Sequence, residues 1–136
     1  MLDINLNNYH SEVSQFTGTE AYHRWTPLSK SVLTDGAKYV AEQLQAYWLF
    51  DEIDLQIKHK KMHKLDMYFT TFTVSLVPPQ RLESAKLSIE DGNGKVLKTK
   101  SIDYTDFPLP EIKIWSASTA TEQSGQFFVH MLPSEY

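Results

Sequence analysis

Two histidines four residues apart are the first residues whose spacing suggests chemistry. On a helix His59 and His63 would share one face, as the paired histidines of zinc sites do. The glutamate that activates water in a helical zinc-protease motif is missing, because Lys60 stands in its place. Lys60 and Lys61 would also repel a dication. The pair is a weak metal candidate, and its alternative is a solvated basic turn.

The same stretch is a basic cluster in an acidic chain. Lys58, Lys60, Lys61 and Lys64 lie within seven residues of one another. The chain has 13 Lys and Arg against 17 Asp and Glu, a net charge of -4, and without these four lysines the balance is 9 against 17, or -8. Lysines contact phosphates without base specificity, whereas a dedicated duplex binder is usually basic overall. The cluster predicts contact with a protein partner or, as the alternative, with nucleic acid.

Acidic residues supply the remaining candidates for catalysis. Asp51 shares the three- and four-residue spacing of the apolar residues from Ala37 to Trp48, so a helix would place it half-buried on their stripe. A buried carboxylate needs hydrogen bonds or a charge partner, since its pKa otherwise rises. Asp51 could act as a general base or Mg²⁺ ligand with Asp54 or Asp106. The alternative is a structural carboxylate bonded to Tyr, Trp or backbone donors.

A proline-rich segment offers a different kind of site. Tyr104–Glu111 contains Asp106, Glu111 and two prolines. Prolines fix the backbone, so the segment could present a rigid recognition edge carrying both acids. It could equally be a corner that fixes the crossing of a strand onto a helix. We therefore include Asp106 and Glu111 with the lysines as candidate partner-binding residues.

Other chemical signatures are absent from the sequence. It contains no cysteine, which excludes disulfides, thiolate metal sites and a cysteine nucleophile. Gly-x-Ser-x-Gly, phosphate-loop and dinucleotide glycine patterns are also missing. No apolar run approaches the roughly 18 residues that cross a bilayer, and Met1 opens onto mixed sequence rather than a signal peptide. We expect a cytoplasmic protein with no membrane span, no catalytic residue and no cofactor.

The elements that would position these residues form one predicted α+β domain over 1–136. One long central helix over 34–57 begins at Thr34 and Asp35, and the capping-box spacing of Thr17 and Glu20 predicts a short helix over about 18–25. These pack on a four- to five-stranded, mainly antiparallel sheet. Its predicted strands cover 67–77, 85–90, 96–104, 111–117 and 126–132, with a hairpin turn at Asp91–Gly94 and a polar loop over 118–125.

Several short segments carry a specific combination of residues in a fixed order: Phe16–Glu20, Leu33–Gly36, Ala46–Leu49, Asp91–Gly94, Tyr104–Ile112 and Leu132–Tyr136. Together they resemble a bacterial and bacteriophage family known as domain of unknown function 6876. The sequence departs from that family in a polar stretch near 117–125, in the lysine-rich connector and in an N-terminal extension. The resemblance implies a cytoplasmic accessory protein, often carried by a mobile element, and assigns no catalytic residue.

The first functional hypothesis is a non-enzymatic accessory protein, borne by a phage or mobile element, that binds another protein. Inhibition of a host defence complex would fit it. The alternatives are a nucleic-acid-associated protein using Lys58–Lys64 and a small metal-dependent hydrolase using Asp51, Asp54 and the histidines. An edge strand could support a homodimer. Tyr136 is predicted to pack back onto the core or an interface.

Overall fold

The computed structural model describes residues 18–26, 31–58, 67–77, 81–102, 109–121 and 125–136. Segments with alternating apolar residues form its strands, and segments with helical spacing form its helices. In chain order the elements are β1 (Val32–Leu33), α1 (Asp35–Gln43), α2 (Tyr47–Lys58), β2 (Met67–Val77), β3 (Arg81–Glu90), β4 (Val96–Ile102), β5 (Glu111–Thr121), β6 (Gly125–Met131) and a 3₁₀ turn (Pro133–Glu135). Neither described helix is long and apolar enough to cross a membrane.

The strands form one mixed sheet in the order β1-β6-β5-β2-β3-β4. Neighbours are antiparallel except β1 and β6, which are parallel. The α+β class is confirmed, but the four- to five-stranded sheet is corrected to six strands. The strand that the sequence prediction lacked is β1, whose two residues are too few to show an alternating pattern.

Both helices pack on one face of the sheet, here called the covered face. In β2, Tyr68 and Phe72 are each 1% exposed, and the Phe72 ring lies 5.6 Å from the Trp48 ring of α2. Val40 of α1 belongs to the same apolar core. Successive side chains of a strand point to opposite faces, so Phe69 and Thr71 belong to the other side of the sheet. That side is called the open face, because no described helix packs on it.

The predicted long helix is wrong, since α1 and α2 are separated by a turn centred on Gln45. The N–H of Ala46 donates to the Ala41 carbonyl (2.8 Å), and that of Gln45 to the Glu42 carbonyl (3.4 Å). These two bonds define a Schellman motif, which places one residue in the left-handed region, usually glycine. Gln45 occupies that position with φ 50°. No glycine marks this helix end in the sequence, so no local pattern predicts it.

The predicted helix over 18–25 is also wrong. His23 forms an isolated antiparallel bridge with Leu33, with N–H to O distances of 2.8 and 2.7 Å. The Glu20 backbone N–H donates to the Asp35 carboxylate at 2.9 Å. These bonds hold the segment against the start of α1. Long-range partners therefore use the groups that a capping box would have occupied.

The predicted β3–β4 hairpin is confirmed. Gly92 and Gly94 have φ of 86° and 90°, and the Asp91 carboxylate accepts the N–H of Asn93 at 2.7 Å. A Cβ at Gly92 would lie 2.5 Å from the Phe69 ring, so the turn needs glycine for space as well as conformation. The predicted polar loop over 118–125 is wrong at 118–121 and at 125, because pairing of β5 with β6 continues to Thr121 opposite Gly125; residues 122–124 lie outside the described residues.

Candidate functional site

The predicted site residues are not brought together by the described structure. His59, Lys60, Lys61, His63, Lys64 and Asp106 lie outside the described residues. Glu111 is exposed at the start of β5, paired with Thr73 on the open face. Lys58 ends α2, and its Nζ lies 2.8 Å from Asp54 Oδ2. At least one lysine of the basic cluster is therefore paired within the fold.

Asp51 is exposed, so its predicted half-burial is wrong. Its carboxylate accepts the Trp25 indole N–H at 2.6 Å, a bond of the kind expected for the structural alternative. The turn at Gln45 changes the phase of the apolar stripe. As a result Asp54 shares the buried side of α2 with Phe50 and Ile53. Asp54, which the sequence offered only as an accessory to Asp51, is the carboxylate that enters the core.

A buried polar network connects α2 to the sheet. Ser116 Oγ lies 2.7 Å from His130 Nδ1, and His130 Nε2 lies 2.9 Å from Asp54 Oδ1. Ser31 also bonds to Asp54 and accepts the Phe128 N–H at 2.9 Å. Ser31, Ser116 and His130 are 0% exposed, and Asp54 is 5% exposed. We call Ser31, Asp54, Lys58, Ser116 and His130 the buried network.

Each polar atom of the imidazole has a matching partner in this network. Nε2 can donate to the Asp54 carboxylate, and Nδ1 bonds to the Ser116 hydroxyl, which can itself donate or accept. Burial opposes ionisation of Asp54, but hydrogen bonds from His130, Lys58 and Ser31 outweigh it and hold the Asp54 pKa below its usual range. The network therefore holds an ionised carboxylate between α2 and the sheet.

A serine, a histidine and an aspartate in hydrogen-bond sequence would suit a hydrolase, but this arrangement lacks what such an enzyme needs. Ser116 and His130 are sealed from solvent, so no substrate reaches the hydroxyl. Ser116 lies inside β5 between β2 and β6, where its backbone belongs to the sheet rather than to an oxyanion hole. The imidazole is also reversed, because Nε2 faces serine in hydrolase triads. The network supports the fold and not acyl transfer.

Sequence reasoning missed Ser116 and His130. His130 alternates with Phe128 and Leu132 in an apolar strand pattern, and that placement was the available signal. The partner of the imidazole lies 76 residues away in α2, a distance that no local pattern encodes. Among the residues that the structure describes, no three metal-ligating side chains cluster to hold an ion.

A second polar cluster surrounds the N-terminus of α1. The first three helical N–H groups all have acceptors: Asp35 N donates to Thr19 Oγ1 (2.9 Å), Gly36 N to Glu135 Oε2 (2.9 Å) and Ala37 N to Thr34 Oγ1 (3.2 Å). These bonds satisfy donors that the helix itself leaves unpaired. We call Thr19, Thr34, Asp35, Gly36 and Glu135 the cap cluster. Because its donors are occupied, this helix end offers no anion site.

The acids of the cap cluster are fixed by further bonds. Asp35 Oδ1 lies 2.8 Å from His23 Nε2, and hydrogen bonds from His23 and from the Glu20 N–H lower the Asp35 pKa. Glu135 Oε1 accepts the Thr34 hydroxyl at 2.6 Å and the Leu132 N–H at 3.0 Å. The cluster thus connects three distant parts of the chain at one helix end.

The open face divides into an apolar and a polar half. Strand register places Phe69 beside Trp115 and Trp115 beside Met131, with Met67, Ala117 and Val129 in the next row. We call Met67, Phe69, Trp115, Ala117, Val129 and Met131 the apolar patch. The polar half contains Thr71, Thr73, Lys86, Ser88, Glu111 and Lys113.

Three aromatic rings follow one another at the apolar patch. The centroids of Phe69 and Trp115 lie 4.9 Å apart, and those of Trp115 and Tyr136 lie 5.4 Å apart, both edge to face. Tyr136 packs back on Trp115 but stays 78% exposed, so it does not complete the core. Leu132, which is 4% exposed, and Glu135 both anchor that segment to the fold.

The segments that carry the family resemblance supply many of these features. Leu33–Gly36 and Leu132–Tyr136 meet at the cap cluster, and Asp91–Gly94 forms the turn under Phe69. No curated protein and no solved structure matches the chain. Residues 7–136 match a family described as a family of unknown function, DUF6876, and the chain therefore belongs to that family.

Proposed function

We propose that the protein is a non-enzymatic accessory module that binds another protein through the apolar patch. The supporting observation is the division between the two faces of the sheet. Ser116, His130 and Asp54 of the buried network are at most 5% exposed, whereas Trp115 and Phe69 lie partly exposed on the open face. A phage- or mobile-element-borne protein that inhibits a host defence complex is one form of this proposal.

The composition of the apolar patch suits a protein partner. Trp and Tyr are enriched among residues that dominate protein interfaces, because their large rings bury much area with few rotatable bonds. Trp115 lies between the rings of Phe69 and Tyr136, and all three are at least partly exposed, so a partner would meet a row of aromatic surface. A Met side chain also adapts to irregular surfaces.

Charge on the open face favours a protein over a polyanion. Lys86 and Lys113 are accompanied on that face by Glu90 and Glu111. A nucleic acid would gain little attraction from this balanced set, since phosphate neutralisation drives such binding. The nucleic-acid alternative depends on the basic cluster, in which the Lys58 ammonium is paired with Asp54. Its other lysines lie outside the described residues, so that alternative remains a prediction.

Site-specific photocrosslinking tests this proposal. A photoreactive phenylalanine analogue replaces Tyr136, which is exposed enough to accept it, or Lys86 in the polar half as the matched control. Irradiation is carried out in cells of the native host, and half of each lysate is treated with nuclease. We expect one nuclease-resistant protein adduct from position 136 and none from position 86. Equal adducts from both positions, or none from position 136, would contradict the proposal.

A further inference from the structure

One carboxylate group holds the segment that carries Tyr136 against the start of α1. Glu135 accepts hydrogen bonds from the Gly36 N–H (2.9 Å), the Thr34 hydroxyl (2.6 Å) and the Leu132 N–H (3.0 Å). Bonds to an ionised acceptor are roughly twice as strong as neutral ones. The helix dipole of α1 also favours negative charge at this end.

Gly36 makes this approach possible. A Cβ at position 36 would lie 2.6 Å from Glu135 Oε1 and 2.9 Å from Oε2, well inside contact distance. Glycine is a poor helix former, so an alanine would normally be favoured at this position of α1. The space that a side chain would fill is instead occupied by the Glu135 carboxylate. The start of α1 is therefore shaped to receive this group.

The backbone transmits the position of Glu135 directly to Tyr136. The 3₁₀ turn is closed by the Glu135 N–H donating to the Leu132 carbonyl (2.9 Å) and the Tyr136 N–H to the Pro133 carbonyl (3.3 Å). The Tyr136 ring, 78% exposed, gains little burial of its own at Trp115. Its position beside the apolar patch thus depends on the anchored turn more than on the ring contact.

We infer that Glu135 is a positioning residue, held by Thr34 and Gly36 at the start of α1, that fixes Tyr136 on Trp115 and so completes the apolar patch for its partner. The binding half of this inference rests on the proposed function. The positioning half does not, because it concerns contacts within the chain. The two halves are tested by separate measurements.

The positioning half is tested by the indole N–H signals of ¹⁵N-labelled protein. Of the three tryptophans, Trp115 is assigned with Trp115→Phe. Tyr136→Ala removes the ring and defines the signal of an uncovered Trp115. We expect Glu135→Ala and Gly36→Ala to move the Trp115 signal to that same position, since both remove the carboxylate from α1. Glu111→Ala deletes an equal charge on the sheet face that carries Trp115, and it should leave the Trp115 signal unmoved.

The Trp25 and Trp48 signals report whether each variant is folded. If Glu135→Ala does not fold, Glu135→Gln is used instead. It keeps the length of the side chain but replaces one acceptor oxygen with an NH₂ group that cannot accept from Gly36 or Thr34. It should move the Trp115 signal part of the way toward its position in Tyr136→Ala. A Trp115 signal unmoved in Glu135→Ala and Gly36→Ala, or unmoved by Tyr136→Ala, would overturn the inference.

The binding half is tested by crosslinking with the photoreactive analogue at position 96. Val96 is exposed on edge strand β4 and pairs with Glu90, the neighbour of Phe69. The adduct is compared between the otherwise unaltered chain and chains with Glu135→Ala or Gly36→Ala. The photoreactive analogue at position 96 should give the same adduct as at position 136, reduced about tenfold by Glu135→Ala, as expected for loss of a strongly contributing residue. Undiminished adduct with a displaced Trp115 signal would overturn the role of Glu135 in binding. Absence of any adduct in the otherwise unaltered chain would overturn the proposed function and leave the positioning result standing.

Discussion

The two faces of the sheet differ in what they contain and in what can reach it. The covered face holds His130 and Ser116, and Asp54 of α2 packs against it. None of the three residues is more than 5% exposed. The open face holds Phe69 and Trp115, which are partly exposed. The serine, histidine and aspartate of the buried network are thus out of contact with solvent, whereas large aromatic residues of the open face are partly exposed. Accessibility, more than residue type, distinguishes the two faces.

The cost of burying charge explains the form of the buried network. An isolated ionised carboxylate is very unfavourable in the interior, so it must be paired and hydrogen-bonded. Asp54 meets that demand with His130, Lys58 and Ser31. Such a network contributes less to net stability than an apolar core of equal volume would, but losing one member is severe. Asp54 is the member on which the others converge.

Asp54→Ala should have the largest effect on stability. It removes the acceptor for His130 and Ser31 and leaves Lys58 without its carboxylate, so the free energy of unfolding should fall by about 3–5 kcal/mol. Urea unfolding followed by circular dichroism measures it. The matched control is Asp51→Ala, one helical turn earlier and exposed, which should cost about 1 kcal/mol or less. Equal losses at positions 51 and 54 would remove the distinction between the two carboxylates.

Ser116→Ala tests the sheet side of the same network. It leaves His130 Nδ1 buried without its hydrogen-bond partner, and an unsatisfied buried polar atom costs about 1–3 kcal/mol. Ser88→Ala on the open face is the control, because a surface substitution of this kind changes stability by about 0.5 kcal/mol or less. Both are measured by urea unfolding at neutral pH. A cost at position 116 no greater than that at position 88 would contradict the assigned hydrogen bond.

Acidification should weaken the covered face through Asp54. Its pKa is lower in the folded than in the unfolded chain, where it is near 3.8. The stabilisation is thus fully present above the unfolded pKa and is lost as pH falls toward the folded one, because the unfolded chain binds the proton first. The free energy of unfolding should fall with pH below about 4, and Asp54→Asn should reduce that slope by about 1.4 kcal/mol per pH unit. An unchanged slope would show that folding does not lower the Asp54 pKa.

Local patterns predicted the elements that depend on neighbours in sequence. The alternation from Met67 to Val77 gave β2 with its observed bounds, and the glycines of Asp91–Gly94 gave the β3–β4 hairpin. The Thr34 cap was also predictable, since its hydroxyl accepts the N–H of Ala37 three residues on. In each case the physical cause lies within a few residues, so the sequence pattern contains it.

The parts that were missed depend on distant contacts or on an unusual residue. The Glu20 N–H bonds to Asp35 rather than starting a helix, and Asp54 meets His130 across 76 residues. Gln45 ends α1 at a position where glycine would have marked the end. That one turn also explains why Asp51 rather than Asp54 looked buried. A wrong helix phase thus led to Asp51, rather than Asp54, being predicted as the buried carboxylate.

Gln45→Gly should have the smallest effect and the opposite sign. The left-handed conformation at φ 50° costs a residue with a Cβ about 1–2 kcal/mol. Glycine avoids this cost, but the greater conformational freedom of its unfolded chain cancels part of the gain in stability. We expect unfolding to become about 0.5–1 kcal/mol less favourable, measured by urea unfolding. Gln45→Ala, which also keeps a Cβ, should be near neutral and separates loss of the side chain from glycine's freedom. Because the turn sets the phase of α2, Asp54→Ala should cost the same in the Gln45→Gly background; a smaller cost would mean that the turn had moved Asp54 off the covered face.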